Sequence, residues 1–117
     1  HFDATFNYVY MSTGGQNVWN EANGRNYRAF NMVYLTSNGV IDTIAWEGFR
    51  EGIDDVRYAT KLKQLAAQAI ASNKPGAVLA GKKALVWLEL TDDANVDLNT
   101  MRLEMIEHIQ RVAREMN

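Results

Sequence analysis

The stretch that decides the fold is residues 42–58, which read DTIAWEGFREGIDDVRY. Apolar side chains recur through it at spacings of three and four, namely Trp46, Phe49, Ile53 and Val56. Charged side chains recur in the same way beside them, namely Glu47, Arg50, Glu51, Asp54 and Asp55. Because this is the spacing of neighbours on a helix surface, the stretch predicts an amphipathic α-helix. Asp42 or Thr43 is expected to cap it, and it is expected to run to about residue 72.

Two glycines, Gly48 and Gly52, interrupt this helical pattern four residues apart. Each costs about 1 kcal/mol relative to alanine inside a helix. We predict that both lie inside the helix or at a bend of it. We further predict that they are retained because a strand or another helix approaches the backbone closely there.

The segments on either side of the helix predict two strands and two more helices. Residues 6–11 and 30–36 are rich in aromatic and β-branched side chains, and the second strand is apolar enough to be buried on both faces of a parallel sheet. Ser37-Asn38-Gly39 is typical of a turn. Residues 73–76 should end the long helix, and a helix over residues 76–90 should follow. Its inward residues are expected to be Val78, Leu85 and Leu88.

The last predicted helix is capped by Asp97. Its inward stripe, at helical spacing, consists of Leu98, Met101, Met105, Ile109, Val112 and Met116. The acidic run before it, residues 92–97, is better explained by capping and solvation than by calcium, because it lacks the central Gly and terminal Glu of an EF-hand loop. His108 is expected on the surface of this helix, without a role.

Composition excludes several classes of protein. With 117 residues and a net charge of −2, the chain has no basic surface for nucleic acid. No apolar run approaches the roughly 20 residues that span a membrane. It has no cysteine and two histidines, so neither a thiolate nor a histidine-based zinc site is available, and no metal or cofactor is predicted. The chain begins His1-Phe2-Asp3 and enters a strand almost at once, which suggests a piece of a longer protein.

Residues 38–58, NGVIDTIAWEGFREGIDDVRY, resemble a characteristic string of an uncharacterised domain family. That family forms the C-terminal half of barrel proteins related to glycoside hydrolase family 123. Weaker similarity extends to Tyr8-Val9-Tyr10, to Val18-Trp19-Asn20-Glu21 and to residues 32–36, so the resemblance covers roughly residues 3–65. Family members often carry Gln-His after the aromatic strand, where this chain has Met11-Ser12.

The resemblance implies the C-terminal fragment of a (β/α)₈ barrel, with the two strands in the seventh and eighth positions. Residues 1–72 would then be the last two strands and the final helix of the barrel, and residues 73–117 a C-terminal helical extension. As an isolated chain, two strands followed by three helices would be α+β or mostly α. Severed from the barrel, the two apolar strands would expose unpaired edges, so the isolated chain is expected to self-associate.

The resemblance also implies a carbohydrate site, because barrel active sites form at the C-terminal ends of the strands. The expected sugar-binding side chains are Tyr10, Trp19, Asn20, Tyr34, Trp46 and Glu47. The alternative is that the tyrosines are core residues, that Trp19 anchors a long loop, and that Glu47 pairs with Arg50 along the helix.

The sequence contains no residues that we expect to break a glycosidic bond. In the related hydrolases the catalytic carboxylates are an adjacent Asp-Glu pair on an earlier strand, and this chain has no such pair. Glu47 and Glu51 lie one turn apart on one helix, so they cannot stand on opposite sides of a substrate. The chain alone is therefore predicted to be inactive.

Three functions remain open at this level. The first is the C-terminal part of a carbohydrate-active protein, for which the resemblance implies a bacterial source and an extracytoplasmic location. The second is a barrel that binds carbohydrate, or is purely structural, without catalysis. The third is a free-standing helical interaction domain. None of the three involves nucleic acid or a membrane.

Overall fold

A computed structural model of the chain describes residues 32–92 and 94–117. The elements are β1 (Val33–Thr36), β2 (Gly39–Asp42), α1 (Ile44–Ala71), α2 (Pro75–Leu90) and α3 (Leu98–Met116). The described part is thus α+β and mostly helical, as expected. The chain forms two compact units, residues 1–52 and 53–117, which are described separately below. The strand predicted at residues 6–11 lies outside the described residues.

The strand expected over residues 30–36 is seen as β1, and its pairing differs from the prediction. β1 and β2 are antiparallel, with Tyr34 opposite Ile41 and Leu35 opposite Val40, whereas a parallel strand buried on both faces was expected. Val33 is buried, but Leu35 is exposed. The reason is the short connection: two residues separate the strands, and parallel neighbours need a much longer crossover. Gly39, at φ +141°, adopts a backbone conformation that side-chain-bearing residues rarely reach.

Thr43 joins the base of this hairpin to the start of α1. Its backbone N–H and its hydroxyl both donate to the carbonyl of Met32, at 3.3 and 2.9 Å. Its Oγ1 also accepts from the backbone N–H of Trp46 at 3.2 Å, so Thr43 is the cap, one of the two predicted candidates. The same side chain therefore starts the helix and fixes that start beside the beginning of β1.

The long helix is confirmed, and Gly48 and Gly52 both lie inside it. The reason proposed for them is not supported by the described residues, because none has an atom within 4 Å of a Cβ built at either position. The helix ends as expected at residues 72–73. The Ser72 hydroxyl donates to the carbonyl of Ala69 at 2.7 Å, and Asn73 adopts a left-handed conformation, φ 58°.

The core of the second unit is built from one face of each helix. Its buried members are Leu62, Ala66, Ala69, Ala77, Ala80, Ala84, Met101, Met105 and Val112. The predicted stripe of α3 is confirmed from Met101 onward, whereas Leu98 is about half exposed. Among the described residues, no helix is both long and apolar enough to cross a bilayer.

The buried face of α2 matches the prediction only in part. Leu85 and Leu88 pack only at the edge of the core, and Val78 is half-buried outside it. The fully buried positions are small residues, Ala77, Ala80, Gly81 and Ala84. A Cβ at Gly81 would lie 2.8 Å from the carbonyl oxygen of Ala66. The α1 backbone is therefore so close that only this small face of α2 fits against it.

Candidate functional site

The structure describes three of the six expected sugar-binding residues, and all three belong to the first unit. Tyr34 lies in β1, while Trp46 and Glu47 lie in the first turn of α1. The remaining three, Tyr10, Trp19 and Asn20, lie outside the described residues. Because Thr43 binds Met32, the first turn of α1 starts at the base of the hairpin that carries Tyr34.

Trp46 is held at the start of the helix with part of its surface accessible. Its backbone N–H is bound by the Thr43 cap, and its ring lies 6.4 Å from the ring of Phe49, tilted by 33°. The indole is half-buried, so some of it remains open to solvent. A partly accessible aromatic ring can stack on an apolar face of a ligand while its buried edge fixes its orientation.

The Glu47 carboxylate is directed toward the next turn of its own helix. Its Oε2 accepts from both Nε and Nη2 of Arg50, at 3.0 and 2.5 Å. Both side chains are largely exposed, so the pair contributes at most about 1 kcal/mol. This is the helix ion pair of the alternative interpretation, although the second carboxylate oxygen, Oε1, is not engaged by Arg50. The described residues contain no cluster of metal-ligating side chains.

The second unit contains a groove that the sequence analysis did not predict. It has a volume of about 490 Å³ and lies between the end of α2 and the start of α3. Its wall includes Trp87, whose Nε1 donates to Oε2 of Glu104 at 3.1 Å. The two residues are far apart in sequence and on different helices, so no local spacing could have revealed this pair.

His108 also packs against Trp87, whereas it was expected on the helix surface without a role. The two ring centroids are 5.0 Å apart, and His108 is half-buried. Burial, with the nearby positive charge of Arg111, lowers the pKa of His108 below its ordinary value, against the opposing effect of Glu104. The lowered pKa favours the neutral form of the imidazole, and a neutral ring can pack against the indole.

The acidic residues between α2 and α3 are used for local structure. Asp92 accepts from the backbone N–H of Ala94 at 3.1 Å and from the side chain of Asn95. Asp97 is confirmed as the cap of α3, since its Oδ2 accepts from the N–H and the hydroxyl of Thr100 at 2.9 and 2.7 Å. These hydrogen bonds from Thr100 lower the pKa of Asp97.

Two adjacent aspartates of α1 have different partners. Asp54 pairs with Arg57 one turn away at 3.0 Å, as expected for an exposed helix face. Asp55 instead accepts two hydrogen bonds from Arg102 of α3, at 2.6 and 2.9 Å. The side chains of Asp55 and Arg102 are only 15% and 23% exposed. This bidentate pair joins α1 to α3, and it is a structural contact that the sequence pattern did not reveal.

Comparison with known proteins adds no relative. No protein-family model matches the sequence, and no curated protein and no solved structure matches it either.

Proposed function

We propose that this chain is the C-terminal part of a carbohydrate-active, glycoside-hydrolase-like protein. In this proposal it contributes part of the sugar-binding wall, and the bond-breaking carboxylates lie elsewhere in the parent protein. The proposal draws on the resemblance carried by residues 38–58, which fold as the return strand of the hairpin and the first half of α1. Carbohydrate is the proposed ligand of the parent, and the source and location remain those implied by the resemblance.

The antiparallel hairpin requires one adjustment to the barrel interpretation. Neighbouring strands of a (β/α)₈ barrel are parallel, so the antiparallel β1–β2 hairpin would belong to a loop after a barrel strand. Loops after strands form the active-site face of such barrels. The hydrogen bonds between Thr43 and Met32 close this loop at its base, so α1 would begin at the same face. This observation supports the proposal, because Thr43 joins the base of the hairpin that carries Tyr34 to the first turn of α1, which carries Trp46.

Within the wall, Trp46 is the residue that we expect to contact sugar. An indole that is half-buried and lies beside the ring of Phe49 loses little freedom when a ligand stacks on it. Glu47, adjacent to it, would use the oxygen that Arg50 does not engage to accept from a sugar hydroxyl. A barrel without catalytic residues that only binds carbohydrate would use the same wall.

The test is the binding of N-acetylhexosamine oligosaccharides to the chain, followed by calorimetry and by chemical shifts of the indole N–H groups. We expect Trp46→Ala to weaken binding about tenfold, which corresponds to about 1.4 kcal/mol. Trp87→Ala is the matched control, since Trp87 lies in the second unit, and it should leave binding unchanged. Equal loss in both variants, or no binding by the unsubstituted chain, would count against the proposal.

The third hypothesis, a helical interaction domain, is favoured by a separate observation in the second unit. Several large apolar side chains of α2 are exposed there, although α2 already buries its opposite face in the core. This surface is considered next.

A further inference from the structure

Helix α2 is apolar on two opposite sides. One side, with its alanines and Gly81, is buried in the core of the second unit. The other carries Leu79, Val86 and Leu90, which are 56%, 52% and 79% exposed. These three residues, here called the outer face of α2, align along the helix at spacings of seven and four. A helix with apolar residues on two opposite sides normally packs against a neighbour on each side, so the outer face indicates a partner.

The charges beside the outer face identify the kind of partner. Lys82 and Glu89 lie seven residues apart on one flank, and Lys83 lies on the other flank. All three side chains are exposed, and within the described part of the chain neither Lys82 nor Glu89 forms an ion pair. When two copies of such a helix run in opposite directions, the lysine of each copy can pair with the glutamate of the other.

The orientation of two packed helices decides which flanks meet. In an antiparallel pair, each flank faces the same flank of the other helix. With the helices crossing at Val86, which lies close to the midpoint between Lys82 and Glu89, Lys82 of each copy faces Glu89 of the other. A parallel pair would instead bring the flank of Lys82 against the flank of Lys83, which are both positive. The charges therefore favour an antiparallel pair over a parallel one.

We propose that the outer face of α2 is the contact surface of a homodimer, in which two α2 helices pack antiparallel around a twofold axis near Val86. The contact is isologous, so each favourable charge pair occurs twice. This interface lies on the helical unit, whereas the self-association expected from the sequence was attributed to the edges and apolar surfaces of the two strands. It does not depend on the carbohydrate proposal.

The first test is the oligomeric state of the chain by sedimentation velocity at tens of micromolar. The unsubstituted chain should be a dimer, and Val86→Glu should be a monomer because it brings two carboxylates together at the axis. Val56→Glu is the matched control: Val56 is 66% exposed on α1, and its substitution should leave the dimer intact. A monomeric unsubstituted chain, or a dimer that survives Val86→Glu, would overturn the proposal.

The second test exchanges the charges. Lys82→Glu and Glu89→Lys should each weaken dimerisation about tenfold, because two attractive pairs become two repulsive ones. The double variant K82E/E89K should recover the original affinity, since it restores opposite charges across the axis. Failure of this recovery, with circular dichroism showing a folded helix, would rule out the antiparallel register.

The third test uses the absence of cysteine from the chain. Val86→Cys should form a disulfide-linked dimer under mild oxidation, because the two sulfurs lie near the axis. Leu79→Cys should not, because antiparallel packing separates the two copies of residue 79 by about 20 Å along the helices. Cross-linking of both variants to the same extent would indicate parallel or unspecific contact and would contradict the proposal.

Discussion

Gly52 and Gly81 both lie inside helices, but a methyl group added at each would meet different surroundings. At Gly52 it meets open space among the described residues, whereas at Gly81 it meets the Ala66 carbonyl oxygen at 2.8 Å and Ile70 Cγ1 at 3.1 Å. A backbone oxygen cannot move away without shifting α1, so the two glycines have different structural roles.

We expect Gly52→Ala to stabilise the protein by up to about 1 kcal/mol, through its better helix propensity. Gly81→Ala should destabilise it by about 1–3 kcal/mol, because the added methyl overpacks the contact between α1 and α2. Urea unfolding of both variants provides the measurement, and each is the control for the other. Destabilisation by Gly52→Ala would instead support the original prediction that a neighbouring element approaches the backbone at that position.

At the level of single residues, the Asp97 cap also predicts a pH dependence. The hydrogen bonds from Thr100 lower the pKa of Asp97 in the folded state below its ordinary value of 3.8. A lowered folded-state pKa means that the stabilisation is complete above about pH 4 and is lost as the pH falls through the folded-state value. The midpoint of thermal unfolding should therefore differ between the unsubstituted chain and Asp97→Asn at pH 7.

This difference should shrink as the pH falls through the folded-state pKa of Asp97, because a protonated aspartic acid and an asparagine are both uncharged. Asparagine is the suitable substitution because it retains capping ability without the titrating group. A difference between the two proteins that stays constant from pH 7 to pH 3 would show that the charge of Asp97 does not contribute.

At the level of elements, the contact between α1 and α3 depends on the pair formed by Asp55 and Arg102. Both side chains are mostly buried and are joined by two hydrogen bonds. Asp55→Asn should cost about 1.5–3 kcal/mol, because a neutral amide cannot balance the partly buried charge of Arg102 in this bidentate pair. Asp54→Asn is the adjacent control, and it should change stability by less than about 1 kcal/mol, since its pair with Arg57 is exposed.

A double-mutant cycle of Asp55→Asn with Arg102→Met measures the interaction free energy of the pair separately from the other effects of each substitution. The coupling energy should account for most of the loss in Asp55→Asn, because the two side chains contact each other directly. Equal effects of the Asp54 and Asp55 substitutions would mean that the bidentate pair does not hold α3 to α1.

At the level of the whole molecule, the chain is expected to hydrolyse no glycoside. Glu47 is turned toward Arg50, and Glu51 lies one turn further along the same helix, so these two carboxylates cannot stand on opposite sides of a glycosidic bond. The measurement is the release of nitrophenol from nitrophenyl glycosides, including N-acetylhexosaminides. Turnover that is abolished by Glu47→Gln would contradict this expectation and assign catalysis to Glu47.

The sequence by itself determined the helices and their ends. The caps Thr43 and Asp97, the stop at residues 72–73 and the α3 stripe around Met105 depend on contacts within a few residues along the chain. Such local interactions are visible as spacing, because helix geometry brings neighbours three and four residues apart onto one face.

The tertiary structure alone decided which distant parts of the chain meet. In α2, Leu85 and Leu88 pack at the edge of the core as inward residues, but the close approach of α1 at Gly81 puts the small residues at its centre. Asp55 and Arg102 are distant in sequence, so no spacing could show that they pair. In the first unit, no strand was predicted over residues 39–42, and only pairing with β1 showed the antiparallel return. Which side of an element is buried depends on what the rest of the chain packs against it. The local sequence pattern does not contain this information, because the residues in contact are distant in sequence.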